Sequence, residues 1–390
     1  MSSRVGRGSG PDSVSKRGSV SEPGTVSESG SVCEPGSVSG DGLRILPMAG
    51  IGDVTVGDDL AELITGAAPW LRDGDILVVT SKIVSKAEGR LVEVPPDGPE
   101  RDAARERILA AETARVVARR GPTAIVQTHH GFVMAAAGID ASNVDKTHVV
   151  LLPADPDASA RALRAALLDR GLDVGVIISD TMGRAWRVGL TDVALGAAGV
   201  EAFRDHRGEI DPYGNELQLT QMAVIDELAG ACELVKGKMD QVPVAVVRGY
   251  PRAGRDDGPG AVALVRSAAE DMFSLGTAEA RAQGMRDAAV LHDGSQLALP
   301  CKPVDPDAVD RAVALIANEI KRGTEIVPSE TIPDNGATAA LHVSVRGTTP
   351  VDFMRLGADV HRLRAALAAE GILTVVLPHE DGIRVDMSGS

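Results

Sequence analysis

The chain is poor in aromatic side chains, which make up 2% of its 390 residues, and it contains only three cysteines. A core with so few rings must be built from Val, Leu, Ile and Ala, which favours packed helices and buried strands over base-stacking platforms. Cys33, Cys232 and Cys301 have no CxxC or metal-ligand spacing, and their odd number argues against a disulfide framework. We therefore expect a protein of the reducing cytoplasm.

Long apolar runs and an excess of positive charge are also missing. No stretch offers about 20 uncharged apolar residues, and the basic start lacks the apolar segment of a signal peptide. The formal net charge is -15, whereas polyanions are bound by exposed cationic surface. These absences argue against a membrane protein and against nucleic acid as the main partner. The sequence also lacks GxSxG and a GxGxxG fingerprint after a strand, which disfavours hydrolases and Rossmann dehydrogenases.

The first 42 residues have a composition of their own. They contain no Leu, Ile or aromatic residue, and a six-residue phrase begins at Gly18, Gly24, Gly30 and Gly36. Such a Ser/Gly/Pro/Glu tract buries too little apolar surface to offset the entropy lost on ordering. We predict a disordered tail over 1–42.

From Leu43 onward, short β-branched runs alternate with amphipathic segments, which predicts an α/β domain, with α+β as the alternative. The predicted strands of this mixed-sheet domain, 43–278, are 76–79, 124–126, 149–152, 174–178 and 244–247. Its main predicted helices are 59–70, 100–119 and 158–170. A C-terminal segment of unknown function, 279–390, follows, as a small α/β domain or a dimerisation arm. Its predicted helices are 307–321 and 351–370, and its predicted strands are 340–345 and 373–377.

Two polar segments follow predicted strands. Residues 80–89, TSKIVSKAEG, follow the strand 76–79, and residues 179–189, SDTMGRAWRVG, follow the strand 174–178. Acids, hydroxyls, lysines and arginines at strand ends suit magnesium and phosphate binding. The first segment is not a P-loop, and ordinary surface lysines are the plainer explanation for it. For the second, the functional and structural interpretations are evenly balanced.

Two further turn-rich segments carry polar side chains. In GIDASNVD, 138–145, a carboxylate with an amide three residues later can hold a divalent cation, and an Asx turn or helix cap is the plainer explanation. In GKMDQVP, 237–243, small and charged residues could contact a nucleotide, or form only a hairpin loop. Taken one at a time, these segments do not decide the function.

Taken in order, the motifs resemble one family. In chain order they are GIGDVTVGDDL, DGDILVVTSKIVSKAEGRLV, GIDASNVD, ISDTMGRAWRVGLTDVALG and VPVAVVRG with a later DDG. Over about 43–278 these motifs are similar to those of the F420-0:gamma-glutamyl ligase family. Five linked motifs in one order are far more specific than any one of them. The tail and the C-terminal part lie outside this resemblance.

The resemblance implies a nucleotide site and a metal site. GTP contacts are implied at Ile51, Gly52, Asp53, Val54, Ser81, Lys86 and Asn143, and in the glycine loop at Gly237 and Lys238. Archaeal members tend to carry Gln where this chain has Lys238. Two divalent cations, Mg²⁺ or Mn²⁺, are implied at Asp140, Asp180 and Thr181, and K⁺ is a further candidate ion.

The implied reaction is a GTP-dependent ligation. The terminal phosphoryl group passes to the carboxylate of coenzyme F420-0, and the amine of L-glutamate displaces phosphate from the acyl phosphate. A second round would add a gamma-linked glutamate. Lys86, Arg184 and Arg187 are candidates for stabilising phosphoryl or substrate charge, and members of the family suggest a homodimer. The alternatives are another metal-dependent phosphoryl-transfer enzyme and a regulatory module that binds a nucleotide or F420.

Overall fold

The computed structural model describes residues 42–142, 144–238, 240–251, 256–291, 298–320, 323–330 and 335–390. The predicted disordered tail, except for Gly42, lies outside these ranges, and so does Asn143, one of the implied GTP contacts. Within these ranges, no helix is long and apolar enough to cross a membrane.

Strands and helices follow one another along the described chain. The strands are β1 (Arg44–Met48), β2 (Ile76–Thr80), β3 (Leu91–Glu93), β4 (Thr113–Arg120), β5 (Thr123–Thr128), β6 (Val133–Ala135), β7 (His148–Val150), β8 (Gly175–Arg184), β9 (Arg187–Ala198), β10 (Arg204–Asp205), β11 (Gln221–Met222), β12 (Val244–Arg248), β13 (Thr324–Pro328), β14 (Ala339–Val345), β15 (Ile372–His379) and β16 (Gly382–Gly389). The helices are α1 (Leu60–Ala67), α2 (Ser81–Ala87), α3 (Gly98–Ala111), α4 (Pro156–Asp169), α5 (Val224–Lys236), α6 (Thr277–Ala289), α7 (Pro306–Ile316) and α8 (Pro350–Ala369).

The central sheet is mixed, as predicted, with the strand order β1-β12-β2-β8-β9. β2 and β8 are parallel, while the other neighbours are antiparallel. Thr80 lies beside Ser179 where the parallel pair ends. The two polar segments, 80–89 and 179–189, therefore begin side by side where this parallel pairing ends.

Both faces of the central sheet are covered, because successive side chains of a strand point to opposite faces. Leu77 and Val79 of β2 pack into one core with α1, α2 and α4. Ile76 and Val78 of the same strand pack into a second core with α5. This burial on both sides explains why β2 reads as a continuous apolar run.

Helix α4 lies unusually close to β9. A Cβ atom at Gly196 would lie 2.1 Å from the Pro156 carbonyl oxygen, so no side chain fits there. Asp157, one residue further along α4, accepts backbone hydrogen bonds from Ala197 at 2.8 Å and from Ala261 at 2.7 Å. Glycine on one side and a carboxylate on the other thus fix the helix against the sheet.

The helix predicted at 100–119 is too long, and this part of the prediction is wrong. Helix α3 ends at Ala111, and Thr113–Arg120 forms the strand β4. The β-branched residues Thr113, Val116 and Val117 favour an extended chain, and β4 pairs with β5, for example Val116 with Val126. Pairing with the next strand, across the two-residue turn at Gly121 and Pro122, thus outweighs the helical spacing of the charges.

The C-terminal part has its own sheet, with the order β13-β14-β16-β15 and antiparallel neighbours throughout. Helices α7 and α8 pack on this sheet around Leu363, Leu367 and Val385. The predicted helices and strands of this part are confirmed, with α7 ending earlier than predicted. Helix α6 spans the predicted domain boundary at 278, and its Glu279 pairs with Arg115 of β4.

Candidate active site

A cleft of about 1080 Å³ lies where β2 ends and its parallel pairing with β8 stops. Its walls come from the loop 51–56 after β1, helix α2, the segment around Asp140, the middle of β8, the end of α5, and the loop that leads into β12. The lining residues of the described chain all lie between Ile51 and Pro243. The parallel pair of strands therefore places several chain segments around one opening.

Three carboxylates converge in this cleft. Asp140, Asp180 and Asp192 all line it. Burial and the neighbouring charges of Asp192 and Asp140 together raise the pKa of Asp180 to about 6, against hydrogen bonds from Thr181 and Ser81 that lower it. Ionised Asp180 is therefore short of positive charge, which is the condition that a bound cation would relieve.

Lys82 neutralises Asp140. Its ammonium nitrogen lies 2.7 Å from a carboxylate oxygen of Asp140 and donates to Ser142 Oγ at 2.8 Å. Burial raises the pKa of Asp140, but the hydrogen bonds from Lys82 and Ser142 and the charge of Lys82 together hold it below its usual value. Asp140 is therefore an ionised oxygen donor at neutral pH.

A second lysine is buried beneath the cleft. Lys236, at the end of α5, donates to Asp192 at 2.7 Å and to Ser179 Oγ at 2.9 Å. Thr181 Oγ1 donates to the other carboxylate oxygen of Asp192 at 2.8 Å. Burial raises the pKa of Asp192, but these charged and neutral partners outweigh it and lower the pKa overall. These hydrogen bonds hold the side chains of Asp192, Ser179 and Thr181 in fixed conformations.

The glycine loop brings a third lysine to the same place. Lys238 Nζ donates to Thr181 Oγ1 at 2.6 Å and lies 3.3 Å from Glu233. Gly237 precedes it with φ +61°, a backbone conformation that favours glycine. The turn thus directs Lys238 towards the residues implied for metal binding.

The loop after β1 forms another part of the cleft lining. Ile51 and Val54 bury their side chains in the core, so this loop offers a ligand mainly its backbone and the Asp53 side chain. The Gly57 amide donates to the Ala87 carbonyl at 2.9 Å, which ties the loop to the end of α2. Lys86 of α2 lines the cleft beside this loop.

Residues 50–249, which include every lining segment of this cleft, match the family model described as F420-0:Gamma-glutamyl ligase. The chain belongs to this ligase family. It is 43% identical over 246 residues to the coenzyme F420:L-glutamate ligase of Methanopyrus kandleri, covering 59% of this chain and 97% of that relative. The proteins of the same name from Methanothermobacter thermautotrophicus and Archaeoglobus fulgidus are 40% identical over 250 residues and 41% identical over 224. These two alignments cover 60% and 54% of this chain and 99% and 90% of the relatives.

Most residues that the ligase resemblance implies meet in the cleft. The lining includes Ile51, Gly52, Asp53, Val54, Lys86, Asp140, Asp180, Thr181, Gly237 and Lys238. Ser81 is buried and donates a hydrogen bond to Asp180. Arg184 and Arg187 are exposed on the hairpin that joins β8 to β9, outside the lining. Asn143 falls outside the described residues.

Sequence reasoning missed two residues of the ligase cleft, Asp192 and Lys236. Asp192 stands opposite Thr181 in the β8–β9 pairing, and Lys236 reaches it from α5. A single acid in the otherwise apolar run of β9, and a lysine after the apolar end of α5, were the available signals. Their pairing depends on strand register, which the sequence does not reveal.

Proposed function

We propose that this chain joins L-glutamate to the coenzyme F420 precursor F420-0 in coenzyme F420 biosynthesis, with GTP as the phosphoryl donor. The observation that carries the proposal is the convergence of Asp140, Asp180 and Asp192 with four lysines in one cleft of a chain that spans 97% of a coenzyme F420:L-glutamate ligase. Adding a gamma-linked glutamate to the first product is part of the same proposal.

The cleft suits the divalent cations that the resemblance implies. Carboxylate and hydroxyl oxygens are the donors that Mg²⁺ and Mn²⁺ prefer. Within the described chain, lysines pair with Asp140 and Asp192 but not with Asp180. Asp140, Asp180 and Thr181 would hold the ions, which when bound would offset the charge of the GTP phosphates.

The lysines divide into two roles. Lys86 and Lys238 line the cleft and would place positive charge beside the phosphoryl group as it leaves GDP for a carboxylate oxygen of F420-0. Lys236 is buried and holds Asp192 and Ser179 in place. The amine of glutamate then attacks the acyl carbon, the bond to phosphate breaks, and the amide forms with release of one proton.

A product assay tests this function. The purified chain with GTP, Mn²⁺, L-glutamate and F420-0 should yield GDP, phosphate and F420 carrying added glutamate, detected by mass spectrometry. Parallel reactions without glutamate, and with ATP in place of GTP, define the acceptor and the donor. Absence of both GDP and glutamylated product would refute the ligase proposal.

The same assay distinguishes the alternatives. GDP formed without a glutamylated product would favour phosphoryl transfer to another acceptor. Binding of GTP or F420-0 without turnover would favour a regulatory module. Because these outcomes differ in which product is missing, one set of reactions separates the three functions.

The homodimer belongs to the same proposal. Trp186, Val188 and Leu190, on and beside the β8–β9 turn, are 82%, 100% and 67% exposed, and a second copy of the chain would cover this apolar surface. Arg184 and Arg187 would then lie at the subunit interface. Light scattering should show a dimer for the natural chain and a monomer for Val188→Glu, and a monomeric natural chain would refute this part.

A further inference from the structure

Two histidines and an aspartate meet on the C-terminal sheet, away from the ligase cleft. His342 lies on β14, His379 is the last residue of β15, and Asp381 lies in the turn between β15 and β16. The family model ends at residue 249, and the lining of the cleft ends at Pro243. The ligase chemistry therefore gives no reason for this cluster.

The distances within the cluster match a metal site. Asp381 Oδ1 lies 2.9 Å from His379 Nδ1 and 3.3 Å from His342 Nε2. All three potential donor atoms lie within 4.8 Å of one another. In a tetrahedral zinc site with bonds of about 2.0–2.1 Å, neighbouring donors are about 3.3 Å apart. Small side-chain rotations thus suffice to place one ion among the three.

A glycine makes this meeting possible. Strand β16 lies between β14 and β15, and its Gly382 is paired with His379. A Cβ atom at position 382 would lie 3.2 Å from His342 Cε1 and 2.4 Å from the Val343 carbonyl oxygen. With no side chain there, the rings of His342 and His379 approach to 4.6 Å between centroids, at an angle of 70°.

The cluster combines an anchored ligand with accessible ones. The side chain of His342 is 16% exposed, whereas those of His379 and Asp381 are 45% and 75% exposed. An ion can enter from solvent, and water can complete its coordination as in sites with three protein ligands. Two imidazoles with one carboxylate favour zinc and related transition metals over Mg²⁺, which prefers oxygen donors.

We propose that His342, His379 and Asp381 bind a divalent transition-metal ion at a site separate from the ligase cleft. The site joins the β15–β16 turn to β14 across β16. It therefore links three strands of the C-terminal sheet through one ion.

Zn²⁺ binding to the full chain tests this site. With Mg²⁺ in excess to occupy the cleft, isothermal titration should show one more equivalent of bound Zn²⁺ for the natural chain than for His342→Asn. Asp381→Asn, in an exposed turn, should weaken this binding at least about tenfold, since losing even a supporting partner of a metal ligand costs that much. His361→Asn, on an exposed position of α8, is the matched control and should bind as the natural chain does.

A second readout identifies the ligands. Co²⁺ added in place of Zn²⁺ should give the visible absorption of a tetrahedral ion in the natural chain and in His361→Asn, but not in His379→Asn. Circular dichroism checks that each variant is folded. Equal Zn²⁺ stoichiometry and affinity in the natural chain, His342→Asn and Asp381→Asn would overturn the proposal, whatever the ligase assay shows.

Discussion

Asp180 is the residue whose charge state governs the cleft. Burial, together with the charges of Asp192 and Asp140, raises its pKa to about 6. A proton on Asp180 must leave before an ion binds there, so affinity for Mn²⁺ should rise with pH by up to about tenfold per unit below the pKa and level off above it. Titration of Mn²⁺ from pH 5 to pH 7.5 measures this dependence.

Asp180→Asn provides the matching test. The amide removes both the charge and the titration, so Mn²⁺ binding and turnover should fall and the pH dependence should flatten while the fold is kept. Asp169→Asn, exposed at the end of α4, should behave as the natural chain does. Full activity in Asp180→Asn would contradict the metal role.

Lys236 is a stability determinant as well as a part of the cleft. The side chains of Lys236 and Asp192 are both 3% exposed. Replacing Lys236 with Met leaves the Asp192 charge buried without its cation, so the free energy of unfolding should fall by about 3–5 kcal/mol. Denaturation in urea measures this loss.

Two further variants show whether the unpaired charge of Asp192 causes the loss of stability in Lys236→Met. Lys238→Met changes a side chain that is 65% exposed and should cost less than about 1 kcal/mol. Lys236→Met combined with Asp192→Leu removes both charges and should recover much of the stability. If the double variant is no more stable than Lys236→Met alone, the unpaired charge is not the cause.

Some site residues are marked by their neighbours in sequence, and others are recognised only from contacts in the fold. Asp140, Asp180 and Thr181 are implied by the family resemblance, in polar segments that follow apolar or small-residue runs, and all three line the cleft. Asp192 and Lys236 bond across 44 positions of the chain, and no local pattern records that pairing. Arg184 and Arg187 follow the same run as Asp180, but β8 continues to Arg184 and turns into a hairpin, which carries both arginines away from the sheet edge.

At the scale of elements, one carboxylate joins three segments. Asp157 of α4 accepts backbone hydrogen bonds from Ala197 of β9, and from Ala261 and Val262 of a 3₁₀ turn, at 2.8, 2.7 and 3.1 Å. Asp157→Ala leaves these donors without their acceptor and should lower the free energy of unfolding by about 3 kcal/mol. Asp157→Asn keeps an acceptor and should lose less.

Asp169→Ala is the control on the same helix. Its side chain is exposed at the last residue of α4, so the change should stay within about 0.5 kcal/mol. Chemical denaturation of the three variants gives the comparison. An equal loss for Asp157→Ala and Asp169→Ala would show that helix propensity, and not the hydrogen bonds, sets the cost.

The sequence predicts strands well where both faces of the strand are buried, and it predicts secondary structure less well where charged residues are dense. The apolar runs of β2, β8 and β12 predict buried strands clearly, because every residue within these runs is buried. The stretch after Ala111 is polar on one side, and Arg115 lies three residues after Glu112, which is a helical spacing. It is nevertheless a strand because it pairs with β5 across the two-residue turn at Gly121 and Pro122, and the charge pattern does not show that pairing.

At the scale of the molecule, the direction of the strands creates the cleft. The sequence predicts alternating strands and helices but not that β2 and β8 run parallel while β12 runs against β2. Only that arrangement brings the segments after Thr80 and after Ile178 to one edge. The order of the motifs identified the family without that knowledge, whereas the geometry explains why the motifs belong together.

The last prediction concerns where the ligase part ends. The cleft lining ends at Pro243, so the C-terminal sheet contributes nothing to it in the described chain. Helix α6, however, contacts β4: Glu279 pairs with Arg115 and accepts from the Gly276 amide at 2.8 Å. A chain of residues 43–291 keeps this helix, whereas a chain of residues 43–278 removes it.

Both truncated chains should retain the cleft, and they should differ in stability. The chain ending at 291 should keep full glutamate-dependent GDP release, because every lining residue is present. The chain ending at 278 loses Glu279, the acidic partner of Arg115, and should unfold at a lower temperature, with an ion pair and its hydrogen bonds contributing about 1–3 kcal/mol. Arg115→Ala in the longer chain should reproduce most of this loss, since it removes the other half of the pair. Loss of GDP release in the 43–291 chain would show instead that the C-terminal sheet takes part in the reaction.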